Sequence, residues 1–154
     1  MNQLSIFSSN SVDDGKKKVN WTLYIDGASR GNPGMAGAGV VLLKNNKVIA
    51  KKSYFLGLKT NNQAEYMSLI NGLKVFKEQI PQIIDHLTIY SDSELLVCQI
   101  GGTYKIKHPE LRKLYDEAML ILSNVDYKIE HIRREKNTIA DSLANKALDE
   151  QKYT

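Results

Sequence analysis

A single cysteine, Cys98, stands among the 154 residues. No intramolecular disulfide can form, no cysteine-based zinc cluster is available, and nothing in that count requires an oxidising compartment. No stretch approaches the roughly 18–20 apolar residues that a membrane span needs, so no membrane partner is expected. No secretory signal is legible either. Such a signal places basic residues before an apolar stretch of about 7–15 residues, whereas here Lys16, Lys17 and Lys18 come last and Leu4, Ile6 and Phe7 are the only early bulky apolar residues. The default location is therefore cytoplasmic, with residues 1–18 read as a flexible leader. Charge of one sign is also scarce. Lys plus Arg number 21 against 17 Asp plus Glu, and the net +4 is too small to name a partner, though it permits a polyanion. What is present is ordinary globular material, 42% hydrophobic and 25% charged, which argues against a disordered chain, a coiled coil or a collagen-like fibre. The length fits about one domain of about 150 residues, with enough chain to bury a real core.

The hydrophobic periods then order the chain. Residues 19–25 are β-branched and aromatic and predict a strand ending at Asp26-Gly27, followed by a turn-rich stretch over 28–34. Residues 38–43 and 47–56, separated by Asn45-Asn46, complete an antiparallel meander. The period then changes, as Tyr66, Leu69, Ile70, Leu73, Phe76 and Ile80 recur at helical spacing behind a capping box at Thr60 and Gln63. Residues 87–90 form a short strand, 93–100 a short helix stopped by Gly101-Gly102, and Pro109 opens another helix. Residues 125–132 read as the last strand, with His131 packed inside it, and Asn137 as the cap of the last helix. The order βββ-α-β-α-α-β-α predicts one α/β domain over 19–150 with a short tail at 151–154. Its sheet is mixed, with helices on both faces.

Four acidic residues fall where ligands gather in such folds, at the carboxyl ends of strands and the N-termini of helices. Asp26 ends the first strand, Glu65 lies in the first turns of the long helix, Asp92 ends the fourth strand, and Asp141 lies in the first turn of the last helix. Each alone is explained as a turn or cap residue. Together, without a counter-ion, they would repel and raise one another's pKa values. A divalent cation resolves the conflict, and an all-oxygen set without Cys or His suits a hard ion such as Mg²⁺ or Mn²⁺.

These residues carry a resemblance. Residues 24–34 (YIDGASRGNPG), 60–66 (TNNQAEY), 90–95 (YSDSEL) and 134–145 (REKNTIADSLAN) resemble, in order, the four motifs of type 1 ribonuclease H, and the likeness runs over roughly residues 19–150. It implies a five-stranded mixed sheet, an antiparallel meander then parallel strands, flanked by helices. The implied activity is endonucleolytic hydrolysis of the RNA strand of an RNA–DNA hybrid, giving 5′-phosphate and 3′-hydroxyl ends. The implied cofactor is a pair of Mg²⁺ (or Mn²⁺) ions, with Asp26 shared by both, Asp141 completing one ligand set, and Glu65 with Asp92 completing the other. The implied state is a monomer. Asn32, Asn61, Asn62 and Gln63 match positions that contact sugar edges and bases in the minor groove, where the 2′-hydroxyl distinguishes RNA. Thr60 matches a position that grips a DNA-strand phosphate.

The sequence departs from the family pattern at two places. Many members carry a histidine in the loop before the fourth carboxylate; here that loop reads Arg133-Arg134-Glu135-Lys136, and Arg134 is assigned the task of holding the departing phosphate. Many members also have a long basic protrusion, replaced here by residues 101–109. There Tyr104, Lys105, Lys107 and His108 remain to contact a DNA backbone. Three other readings compete: a non-catalytic binding module, which predicts a lost ligand; a sugar-kinase-like phosphotransferase, which needs a second domain; and a resolvase or transposase core, which lacks the Asn-rich second motif.

Overall fold

The computed structural model describes residues 17–151; most of the expected leader and the last three residues of the expected tail lie outside them. Strands β1 (Asn20–Gly31), β2 (Gly34–Lys44) and β3 (Lys47–Lys59) are followed by helix α1 (Asn61–Glu78), β4 (His86–Ser91), α2 (Glu94–Ile100) and α3 (Pro109–Leu122). Strand β5 (Asp126–His131), a 3₁₀ turn at Arg134–Lys136 and α4 (Thr138–Gln151) complete the chain. The five strands form one sheet in the order β3-β2-β1-β4-β5, antiparallel among β1–β3 and parallel among β1, β4 and β5.

Local chemistry accounts for most boundaries. Asn45 and Asn46 adopt φ of 48° and 68°, the left-handed pair that a two-residue hairpin demands and that Asn tolerates. Thr60 caps α1, its hydroxyl accepting from the Gln63 N–H at 3.1 Å while Gln63 Oε1 accepts from the Thr60 N–H at 2.9 Å. The odd-numbered residues of β1 bury Trp21, Leu23 and Ile25 against α1, where Leu69, Leu73 and Phe76 meet them and Trp21 stands edge-on to Phe76 at 5.4 Å. Helix α4 covers the opposite face, over β2, and its backbone lies directly on two glycines. A Cβ on Gly39 would run into the Ala140 carbonyl and one on Gly37 into the Ala144 carbonyl. No helix among the described residues is long and apolar enough to cross a membrane.

Four local expectations are corrected. Strand β1 does not stop at residue 25 but runs to Gly31, because β2 pairs with it to the Gly31–Gly34 position while the parallel partner β4 ends at Ile25–Ser91. Only Asn32-Pro33 turns the chain. Ile80 leaves α1 with φ of 52° and is 81% exposed, since Pro81 disfavours helical geometry in the residue before it. His131 is exposed rather than packed, because β5 is an edge strand. Asn137 occupies the position before α4, but its side chain does not cap the helix: the amide nitrogen turns toward β1 and Asp92 instead.

Candidate active site

Because the parallel pairing stops at Ile25, Asp26 is the first β1 residue beyond β4 and lies at the carboxyl end of the parallel strands while still inside the hairpin with β2. Asp92 follows the last residue of β4, where Ser91 Oγ accepts from the Ser93 N–H at 3.0 Å and Ser93 caps α2. Glu65 reaches in from the second turn of α1, held by the Gly27 N–H at 2.8 Å. Gly27 allows this approach, since a Cβ there would collide with the Ala64 backbone. Carboxylate oxygens of Asp26, Glu65 and Asp92 lie within 4.8 Å of one another. Asp141, in the first turn of α4, stands beside Asp26 and hydrogen-bonds to its carboxyl group. Asn145, one turn on, donates to the Asp141 carbonyl at 3.0 Å and its carboxylate at 3.4 Å.

The electrostatics follow from that crowding. Burial, then the charges of Glu65 and Asp92, then the bond to Asp141 and its charge, push the Asp26 carboxyl up to about 9. Burial pushes Glu65 up to about 8, with Asp92 adding to the rise and the Gly27 N–H and the Arg134 guanidinium opposing it. Arg134 therefore stands within electrostatic reach of the cluster from the 3₁₀ turn that precedes α4. Asp26 and Glu65 therefore favour their protonated forms near neutral pH unless a cation joins them. Hard oxygen donors brought together from β1, α1 and the end of β4, with Asp141 of α4 acting on Asp26 from beside them, are the kind of set a hard divalent cation prefers, so the residues fit such an ion.

The expected substrate contacts fall into two neighbouring groups. Asn32 Oδ1 accepts from the Asn61 N–H at 3.0 Å, tying the β1–β2 turn to the start of α1. Asn62 lines a cleft of about 490 Å³ together with Tyr104, Lys105, Lys107 and His108. Thr60 and Gln63 spend their side chains on the capping box, which fixes the helix end that carries Asn61 and Asn62. Sequence reasoning passed over Gln99, which is buried, accepts from the Tyr66 hydroxyl at 2.7 Å and donates to the Lys105 carbonyl at 3.1 Å, pinning the basic loop. A buried glutamine on a helix facing a polar loop is its only signal. A roomier groove, about 690 Å³, lies elsewhere, is lined by Met35, Phe55 and Leu148 among others, and contains none of the four carboxylates.

Comparison with known proteins converges on one family. Residues 24–147 match the family model described as reverse transcriptase-like. A ribonuclease H of Chlorobium phaeobacteroides is 32% identical over 149 residues, 86% of this chain and 97% of that relative. A ribonuclease HI of Halobacterium salinarum is 39% identical over 129 residues, and a bifunctional protein of Mycobacterium tuberculosis is 41% identical over 129. These alignments take 82% and 80% of this chain but only 63% and 34% of the relatives, so the chain spans part of their length. The crystal structure of the Halobacterium salinarum RNase H1 superposes with a TM-score of 0.80 at 38% identity, covering 85% of this chain and 98% of that one. LC11-RNase H1 in complex with an RNA/DNA hybrid superposes with a TM-score of 0.81 at 36% identity and the same coverage. With the sheet order, the four motifs in sequence and near full-length relatives in agreement, the chain belongs to the type 1 ribonuclease H family.

Proposed function

We propose that this chain is a metal-dependent endonuclease that hydrolyses the RNA strand of RNA–DNA hybrids and leaves 5′-phosphate and 3′-hydroxyl ends. The observation that carries the reading is the set of carboxyl groups around Asp26, which is 5% exposed and pushed up to about 9 beside Glu65, Asp92 and Asp141. A fold spends stability on such a cluster where a cation and an anionic substrate complete it. Asp26, Glu65, Asp92 and Asp141 would hold two divalent ions, Mg²⁺ or Mn²⁺. Bound there, such ions activate a water and stabilise the leaving oxygen of an in-line displacement at phosphorus.

The chain's own residues do the rest. Asp26 is central, because Glu65, Asp92 and Asp141 all act on its carboxyl group. Arg134, exposed next to Glu65, places a guanidinium where a departing phosphate gains a bidentate partner. Asn32 and Asn61, locked together across the turn, and Asn62 beside them present paired donors and acceptors to a minor groove. Tyr104, Lys105, Lys107 and His108 line a cleft that suits the phosphates of the DNA strand. LC11-RNase H1 in complex with an RNA/DNA hybrid supports the substrate class by likeness.

The test is direct. Labelled RNA–DNA hybrid, double-stranded RNA and double-stranded DNA are each incubated with Mg²⁺, with Mn²⁺ or with chelator. Cleavage of the RNA strand of the hybrid with either ion and none in chelator is expected, with ends that accept ligation as 5′-phosphates. An intact hybrid under every condition would overturn the proposal.

A further inference from the structure

We infer that Asn137 is a positioning residue for the carboxylate cluster, fixing Asp92 against β1 at the point where its pairing with β4 stops and so setting the interval between Asp26 and Asp92 in which a divalent ion is held. The inference rests on the reading of the cluster as a cation site. It goes beyond it by assigning a role to a residue that the motif pattern alone explains as a helix cap.

The observations are these. Asn137 is 2% exposed. Its Nδ2 donates to the Ile25 carbonyl at 2.8 Å and to Asp92 Oδ2 at 3.3 Å. Ile25 is the residue before Asp26, so one carboxamide links the interior of β1 to the residue just past β4, the two places that carry two of the three clustered carboxylates. The backbone of Asn137 joins the remaining pieces: its N–H donates to the Arg134 carbonyl at 2.9 Å and its carbonyl accepts from the Asp141 N–H at 3.1 Å. Asn137 Oδ1 is buried and has no hydrogen-bond partner among the described residues. The orientation is not interchangeable, because rotating the amide would face its oxygen with a carbonyl and a carboxylate, both acceptors.

That arrangement is a poor way to stabilise a helix. An Asn before a helix ordinarily accepts an N–H of the first turn with its side-chain oxygen. Here that bond is given up and an acceptor is left buried without a donor, which disfavours the fold. The amide is spent on Asp92 and Ile25. Residues that orient a metal-binding carboxylate in this manner typically change metal affinity or activity about 10–100-fold when removed.

Serine separates the two roles. It caps helices as well as Asn does, but it is too short to reach both Ile25 and Asp92. We expect Asn137→Ser to melt at or above the parent temperature in chelator, yet to bind Mn²⁺ about 10-fold more weakly by titration calorimetry without nucleic acid. Its kcat for hybrid cleavage should fall at subsaturating Mg²⁺ while the KM for hybrid stays near the parent value. Asn137→Ala should lose the same Mn²⁺ affinity and also melt lower. A double-mutant cycle with Asp92→Asn, read by Mn²⁺ affinity, should show losses that do not add. Parental Mn²⁺ affinity in Asn137→Ser, or additive losses in the cycle, would overturn the inference and return Asn137 to a structural role. A parent that binds Mn²⁺ but leaves hybrid uncut would instead defeat the proposed function, with the Mn²⁺ titrations still deciding the role of Asn137.

Discussion

Two aspartates near the two ends of the parallel sheet are almost equally hidden, Asp26 at 5% exposure and Asp85 at 4%, and they are built in opposite ways. Asp85, just before β4, is surrounded by donors: the Val19 N–H at 3.0 Å, the Trp21 Nε1–H at 3.0 Å and the Gln82 N–H at 3.0 Å. It pins the start of β1 to the loop before β4 and needs nothing from outside. Asp26 is surrounded by other carboxyl groups. Burial alone therefore says little about an acidic residue; the sign of its neighbours separates a structural anchor from a binding group. Asp85 sits at the amino ends of the parallel strands and Asp26 at their carboxyl ends, the side where α/β sheets collect ligands.

Matched substitutions sharpen that contrast. Asp26→Asn should lower hybrid cleavage by at least about 10³-fold, the scale at which loss of a central charge-stabilising group removes transition-state stabilisation, while hybrid binding in Ca²⁺ stays within a few-fold. Asp85→Asn should leave cleavage at about 25 °C near the parental rate. It should melt lower, since an amide cannot satisfy three donors and one buried unpaired group costs about 1–3 kcal/mol. A chain of this size then loses about 3–10 °C. Measured kcat and melting temperatures of both variants check this pair, and a stable but inactive Asp85→Asn would break the comparison.

The next effect concerns pH without metal. Asp26 titrates near 9 in the folded chain against an ordinary 3.8, and Glu65 near 8 against 4.5. The folded state thus holds protons that the unfolded state has shed. These two groups cost stability progressively as pH rises from about 4 to about 9. Asp26→Asn removes the larger part without changing volume. In chelator it should melt level with the parent near about pH 4 and about 3–6 °C above it near about pH 8, relief on the order of 1–2 kcal/mol. Excess Mg²⁺ should close the gap by binding the folded parent. A variant that melts below the parent at both pH values would show that Asp26 is an anchor like Asp85 after all.

The smallest effect is assigned to Arg134, which is exposed and holds Glu65 only through space. Arg134→Ala should lower kcat about 10-fold and move the KM for hybrid less than about 3-fold. An unchanged kcat with a raised KM would reduce Arg134 to a backbone-phosphate contact.

The sequence carried much of this because the relevant signals are local. The Asn45-Asn46 hairpin, the Thr60–Gln63 capping box and Pro109 at the head of α3 are each decided by neighbours within four residues, and the structure shows them where the pattern places them. The placing of Glu65, Asp92 and Asp141 near element ends was legible for the same reason, whereas Asp26 lies inside β1, where only the pairing with β4 ends. What escaped was decided across the fold. The length of β1 depends on how far β2 follows it, Asp85 depends on donors more than 60 residues away, and the turn of the Asn137 amide depends on Ile25, at a separation of 112. Ile80 failed differently: helical spacing continued through it, but the following proline overrode the pattern.

The two faces of the sheet also differ in how much change each tolerates. On the α1 side, away from the close backbone contact at Gly27, large side chains meet large side chains, and volume-conserving exchanges at Leu23, Leu69 or Leu73 have neighbours that can shift to absorb them. On the α4 side, main chain rests on main chain at Gly37 and Gly39, and Gly39 is the register partner of Asp26. Nothing there can be trimmed to make room. A single methyl added at position 39 would lift the helix that carries Asp141 away from the strand that carries Asp26. A redesign of this protein therefore has room where side chains meet and none where main chain rests on main chain, and the spacing of its acidic groups is gauged at those bare contacts, Gly39 for Asp141 and Gly27 for Glu65.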